Sequence, residues 1–264
     1  LLYILIFLIY IVLGCHVLQA KNSKTIITQP SFVNFKPSNS PVVLCMATDP
    51  DGLTWMGTDK GLIAFDGYRD YALFTGTDLQ TRINAVLLAG DTILIGTDGG
   101  LRVATRRTLK MLPPSGGVRC VRALLQKGSK IVVGGADGVD LYDMQTGKSQ
   151  VLARRLPQVY SLLDTPDGLL VGTLNGLYII RNGRVRAVNI GKLAQRPLIN
   201  AMIHAKGKNC WIGTEGALFL YNGRSLNEVP ALHSNSIKAL CQVNRTLYIG
   251  TDNGLYMPVS YTHL

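Results

Sequence analysis

The chain is poor in the residues on which most chemistry depends. Its 264 residues include four histidines, two tryptophans and five cysteines. No CxxC and no Cys/His pair occurs at ligand spacing, which argues against a metal-built domain. His16 and His263 lie near the ends, and His204 and His233 have no neighbouring nucleophile and carboxylate, so no triad is written in the sequence. No glycine-rich turn forms a GxxxxGK(S/T) loop opening onto a helix, which removes a phosphate loop. Acidic residues are also missing in blocks. None occurs from Gly99 to Ala136 or from Gly168 to Thr214, while those stretches hold Arg102, Arg106, Arg107, Lys110, Arg119, Arg122, Arg181, Arg184, Arg186, Lys192 and Arg196. With 27 Lys and Arg against 16 Asp and Glu, the formal charge is +11. One sector of the folded body is therefore expected to be strongly positive.

What is present is a hydrophobic leader and a repeat. "LLYILIFLIYIVLG" is an uncharged run of 14 residues, nearer in length to a signal-peptide apolar region than to a ~20-residue span. Residues 1–20 are read as a signal peptide cleaved after Ala20, with lipid processing at Cys15 as the alternative, and residues 21–30 as a linker. Export is the consequence. Cys45, Cys120, Cys210 and Cys241 then remain; Cys45, Cys210 and Cys241 fall in apolar strand patterns, and all four are expected as buried free thiols. Residues 259–264, "VSYTHL", break the pattern and are read as a non-native tail on the N-terminal fragment of a longer protein.

Between these ends the chain repeats one phrase six times, as in "LTWMGTDKGLIAFDG" from Leu53. The first glycine of each Gly-Thr or Gly-Gly pair falls at 57, 96, 134, 172, 213 and 250, giving steps of 39, 38, 38, 41 and 37 residues. That period approaches the ~40–45 residues of a four-stranded propeller blade. Upstream lies a β-branched column, Val43, Ile83, Val121, Val159, Ile199 and Ile237. Two places later comes a small residue: Cys45, Ala85, Ala123, Ser161, Ala201 or Ala239. Small side chains are what strands converging on a crowded axis require, so this is the innermost strand. The second strand is apolar on both faces, as for a sheet sandwiched between neighbours. Turns such as "TDKG" and "TDNG" supply the positive φ of tight reversals. A third strand follows, and a weaker fourth at "YALF", "LKML", "SQVL", "VRAV" and "LNEV". "SFVNF", Ser31 to Phe35, carries the fourth-strand pattern and is expected to complete the last blade, closing the ring and removing open edges. The fold class is thus all-β: residues 31–258 form six visible repeats of a seven-bladed propeller.

"FVNFKPSNSPVVLCMATDPDGLTWMGTDKGLIAFDGYRDYALF", "WIGTEGALFLYNG" and "LYIGTDNGLYM" resemble the two-component regulator propeller repeat over about residues 31 to 258. The resemblance implies the periplasmic sensor region of a hybrid two-component histidine kinase: propellers and an immunoglobulin-like domain outside the membrane, then a membrane helix, kinase, receiver and often a DNA-binding module. It implies an oligosaccharide ligand, the rest of the sensor chain and a homodimer as partners, and no enzyme or cofactor in this region.

In a propeller the inner strands start on the face that carries the loops between second and third strands. The residues just inside those starts are Leu44, Asn84, Arg122, Tyr160, Asn200 and Lys238. The expected ligand-binding residues are Asn84, Arg119, Arg122, Tyr160, Asn200 and Lys238: amides and cations for sugar hydroxyls or acidic groups, Tyr160 for stacking. The bland alternative is a solvated rim. Two further readings stand beside the sensor. An exported lyase or glycosidase would use Asp59, Asp98, Asp137, Glu215 and Asp252 on the turns; a protein-interaction scaffold would need no site. Nucleic-acid binding is disfavoured by export and by the lack of a recognition motif.

Overall fold

The computed structural model describes residue 37 and residues 42–112, 116–188, 196–233, 235–244 and 246–257. The leader, the linker, the strand expected at Ser31 to Phe35 and the tail lie outside the described residues. Within them the chain is all-β, and the only helical element is a single 3₁₀ turn at Pro230–Leu232.

The first blade runs outward as β1 (Val43–Thr48), β2 (Thr54–Thr58), β3 (Gly61–Phe65) and β4 (Asp70–Leu73). The second has three strands, β5 (Ile83–Ala89), β6 (Thr92–Thr97) and β7 (Gly100–Thr105). Its expected fourth strand at "LKML" is reduced to one bridge, Ala104 to Met111. The third and fourth blades are β8 (Ala123–Lys127), β9 (Lys130–Gly134), β10 (Gly138–Asp143), β11 (Lys148–Arg154) and β12 (Val159–Thr165), β13 (Gly168–Thr173), β14 (Gly176–Arg181), β15 (Arg184–Ala187). The fifth is β16 (Ile199–His204), β17 (Cys210–Thr214), β18 (Leu218–Tyr221) and β19 (Leu226–Glu228). The sixth is β20 (Ile237–Val243), β21 (Thr246–Thr251) and β22 (Gly254–Tyr256). Every sheet is an antiparallel meander in chain order. Inner strands pack in sequence, β1 on β5, then β8, β12, β16 and β20. Among the described residues β20 and β1 do not pack on one another in this way.

The repeated Gly-Thr now has a physical reason. A methyl carbon added at Gly57, Gly96, Gly134, Gly172 or Gly213 would lie 2.5–2.8 Å from a side-chain carbon of Ile83, Val121, Val159, Ile199 or Ile237, the residue that opens the next blade's inner strand. The missing side chain is the socket for the neighbour's β-branched plug. The threonine serves the turn: buried Thr58, Thr97, Thr173, Thr214 and Thr251 each donate from Oγ1 to the carbonyl three residues on, at 2.8–3.0 Å. In four of them the same oxygen accepts the N–H two residues on, from Lys60, Asn175, Gly216 and Asn253. A buried turn thus keeps its polar groups satisfied. Backbone bonds also cross the joint, with the Val121 N–H donating to the Thr97 carbonyl at 2.9 Å and the Val159 N–H to the Gly135 carbonyl at 3.0 Å.

Blade three departs from the repeat for a visible cause. The connection at Val118 and Arg119 presses on Gly135, where an added carbon would stand 2.4 Å from the Arg119 carbonyl oxygen, so no threonine fits. Buried Asp140 holds that connection, accepting the Val118 N–H at 2.9 Å and pairing with Arg154.

Candidate ligand-binding site

The start of β1 pairs with the end of β2, Val43 against Thr58, and the other blades follow the same register. Inner-strand starts and the Thr-containing turns therefore share one face, the mouth. Three expected residues meet there. Asn84 on β5 donates from Nδ2 to Asp98 Oδ1 at 2.8 Å, and its Oδ1 accepts from Arg82 Nε at 3.0 Å and Arg122 Nη1 at 3.4 Å. The Arg122 guanidinium carbon stands 5.4 Å from the Tyr160 ring centre, within cation–π range. One amide and one guanidinium thereby link blades two, three and four. Arg122 Nε is buried and has no hydrogen-bond partner among the described residues.

The other three expected residues are placed differently. Asn200 spends its amide on the next blade, donating to the Ile237 carbonyl at 2.9 Å. Ser161 Oγ does the same to the Ile199 carbonyl at 3.1 Å, and Cys45 Sγ approaches the Ile83 carbonyl at 3.8 Å. Burial pushes the Cys45 thiol up to about 12, so it stays protonated. The four described cysteines are free, Cys210 fully buried and the rest half-buried. Lys238 and Arg119 are exposed, and neither joins the Asn84 cluster. Asp98 and Arg82 also join it; Asp98 is expected only as a turn carboxylate of the enzyme reading, and Arg82, one place outside the repeating columns, is not among the expected residues.

The turn carboxylates of the enzyme reading are engaged in structure where their bonds are described. Asp98 accepts from Asn84, and Asp252 Oδ1 accepts the Ser236 N–H at 3.1 Å. His233 Nδ1 lies 2.6 Å from Glu228 Oε1 on the outer rim, and His204 ends β16 exposed. Among the described residues no group of His, Cys, Asp and Glu could hold a metal ion.

The opposite face carries a different device. Asp49, with 3% of its side chain exposed, accepts Trp55 Nε1 at 3.2 Å, the Asp51 and Leu53 N–H groups at 3.0 Å, and Arg106 Nη1 of blade two at 2.8 Å. Burial alone would raise this carboxyl, but the bonds from Trp55, Arg106 and Leu53 outweigh it and hold the group below its ordinary value.

No family model matches the chain, and no curated protein does. Among solved structures, two of the extracellular domain of BT4673 from B. thetaiotaomicron are similar, a protein described both as a one-component and as a hybrid two-component system. Both are 31% identical with a TM-score of 0.76; they cover 86% and 85% of this chain and 33% of that domain. The extracellular domain of the hybrid two-component system BT3049 shares the fold at 22% identity, with a TM-score of 0.67 over 82% of this chain and 33% of its own length. The chain thus spans about one third of the domains it matches. Six described blades, a glycine socket at each described joint and this likeness make the chain a β-propeller similar to part of the extracellular domain of BT4673.

Proposed function

We propose that this propeller is the extracytoplasmic sensing part of a two-component receptor, and that its mouth binds an oligosaccharide. The observation that carries the reading is the Asn84–Arg122–Tyr160 cluster. An aromatic ring, a stacked guanidinium with an unpartnered buried Nε and a hydrogen-bonding amide converge on one face. That set suits a sugar: ring faces stack on the tyrosine, and hydroxyl or acidic groups meet the arginine. The likeness to the extracellular domain of BT4673 supports a periplasmic placement. The engagement of Asp98 and Asp252 in structural hydrogen bonds favours sensing over hydrolysis.

In this reading the rest of a sensor chain, a histidine kinase and a homodimer are the partners, and no nucleic acid is bound here. Signal follows if the ligand binds one arrangement of the receptor better than another, since only differential affinity shifts an equilibrium. The test is a glycan-array screen of the purified chain, followed by titration of the best ligand against Arg122→Ala and Tyr160→Ala. Each variant is expected to lose ~10-fold or more in affinity with thermal unfolding unchanged. Unchanged affinity in both removes the mouth as the site.

A further inference from the structure

A cleft of about 1010 Å³ lies away from the mouth, at the outer rim between blades four and five. Its cationic lining is Arg181, Arg184, Arg186, Lys208 and Arg224, with Asp167 the one acid. All five cations are exposed, and none forms an ion pair with a carboxylate among the described residues.

The strand register makes this more than scattered surface charge. Arg181 on β14 stands directly opposite Arg184 on β15, and Ile179 opposite Arg186. Directly opposed residues share one face, and residues two apart on a strand return to it ~7 Å along. Arg181, Arg184 and Arg186 therefore project together, on the face whose Ile179 packs into the core shared with blade five. Like charges directly opposed in a sheet are unfavourable. The same first pair of the hairpin is Asp143 with Lys148 in blade three, Phe65 with Asp70 in blade one and Tyr221 with Leu226 in blade five. The repeat thus offers attractive or neutral pairs at this place, and blade four alone among these holds two arginines without a counter-charge.

We propose that this cleft is a second binding site, separate from the mouth, for an anionic polysaccharide. Planar guanidiniums at strand spacing fit successive sulfate or carboxylate groups along a chain, each able to take a paired hydrogen bond. The acid-free stretch from Gly168 to Thr214 supplies four of the five cations; Arg224 comes from the turn that follows β18. Choosing a polysaccharide over other polyanions rests on the extracytoplasmic placement proposed above; the cleft itself does not.

The test measures binding of the full chain to short dextran sulfate oligomers, to oligogalacturonate and, as controls, to neutral dextran and single-stranded oligo(dT). Binding of either acidic glycan, and not of dextran or oligo(dT), is expected; sulfated and carboxylated probes distinguish the two sources of charge. Arg184→Ala/Arg186→Ala should lower that affinity ~10-fold or more and flatten its salt dependence. Lys60→Ala/Arg69→Ala, an equal loss of charge on blade one, should leave it nearly unchanged. Equal losses in both pairs, no loss in the first, or oligo(dT) binding as tightly as the glycans would overturn the proposal. Arg122→Ala separates the two sites: it should leave the acidic probe on the cleft while removing the mouth's ligand.

Discussion

The joints between blades are built in two ways. Near the axis every described joint uses a glycine socket and a β-branched plug, and all but the one after blade three add a threonine-bound turn. On the face opposite the mouth each is improvised. Asp49 and Arg106 brace blades one and two at 2.8 Å, whereas Lys127 and Asp164 join blades three and four at 2.7 Å with both side chains substantially exposed. The difference teaches where sequence is constrained. At the sockets six sheets share one crowded space and few residue types fit; on the opposite face space is more open and many pairings suffice, so individual blades are free to diverge there.

Four substitutions sharpen that contrast. The largest effect is expected from Gly213→Val, since even a first added carbon stands 2.5 Å from Ile237 Cγ2. Overpacking of this kind should cost about 3 kcal/mol in urea unfolding, and Ile237→Ala in the same chain should recover part of it, because contacting sites are not additive. Additive losses would show that the socket is not what the glycine provides.

Asp49→Asn comes next, at about 2–3 kcal/mol, because it strips the charge from a buried pair and leaves Arg106 without its deepest partner. The pH dependence has a definite sign. A carboxyl lowered from 3.8 by folding contributes stability that is fully present above that value and lost as pH falls below it, through the folded-state value. The wild type should therefore lose more stability than Asp49→Asn on acidification through that window. Parallel curves would mean that Trp55 and Arg106 do not hold the ionised form.

Thr173→Val should cost about 1–2 kcal/mol, since the Gly176 carbonyl and Asn175 N–H lose their partner in a buried turn. A neutral result would assign the threonine to shape alone. The smallest effect is expected from Lys127→Ala, whose exposed ion pair should contribute within measurement error. A loss as large as that of Asp49→Asn would erase the distinction between buried and exposed braces.

The legible part of this molecule was its periodic part. Val43, Ile83 and their equivalents repeat because each meets the same neighbour, so the inner strands, the turns and the propeller followed from spacing. The Asn84, Arg122 and Tyr160 cluster was legible for the same reason, the three lying 38 residues apart on one column. Features made once were not. The partner of Asp49 lies 57 residues away in Arg106, and nothing in "TDPDGLTW" points to it. Asn200 lies on the same mouth column, but its Nδ2 donates to the Ile237 carbonyl, a partner that only packing reveals. "LKML" has the fourth-strand pattern yet forms a single bridge. The acid-free stretches announced positive charge without saying that β14 and β15 would set Arg181 against Arg184.

The socket and plug also give the array a direction. Each joint places the glycine of one blade under the opening residue of the next, never the reverse, so all described joints are the same head-to-tail bond. An assembly with one kind of directed bond can be lengthened by copying a single unit in frame, since the copy brings its own socket and its own plug. Thirty-eight codons are the whole instruction for one more blade in the commonest spacing here. Gene duplication therefore needs no new interface to enlarge such a propeller, and each added blade arrives with an outer strand free to diverge.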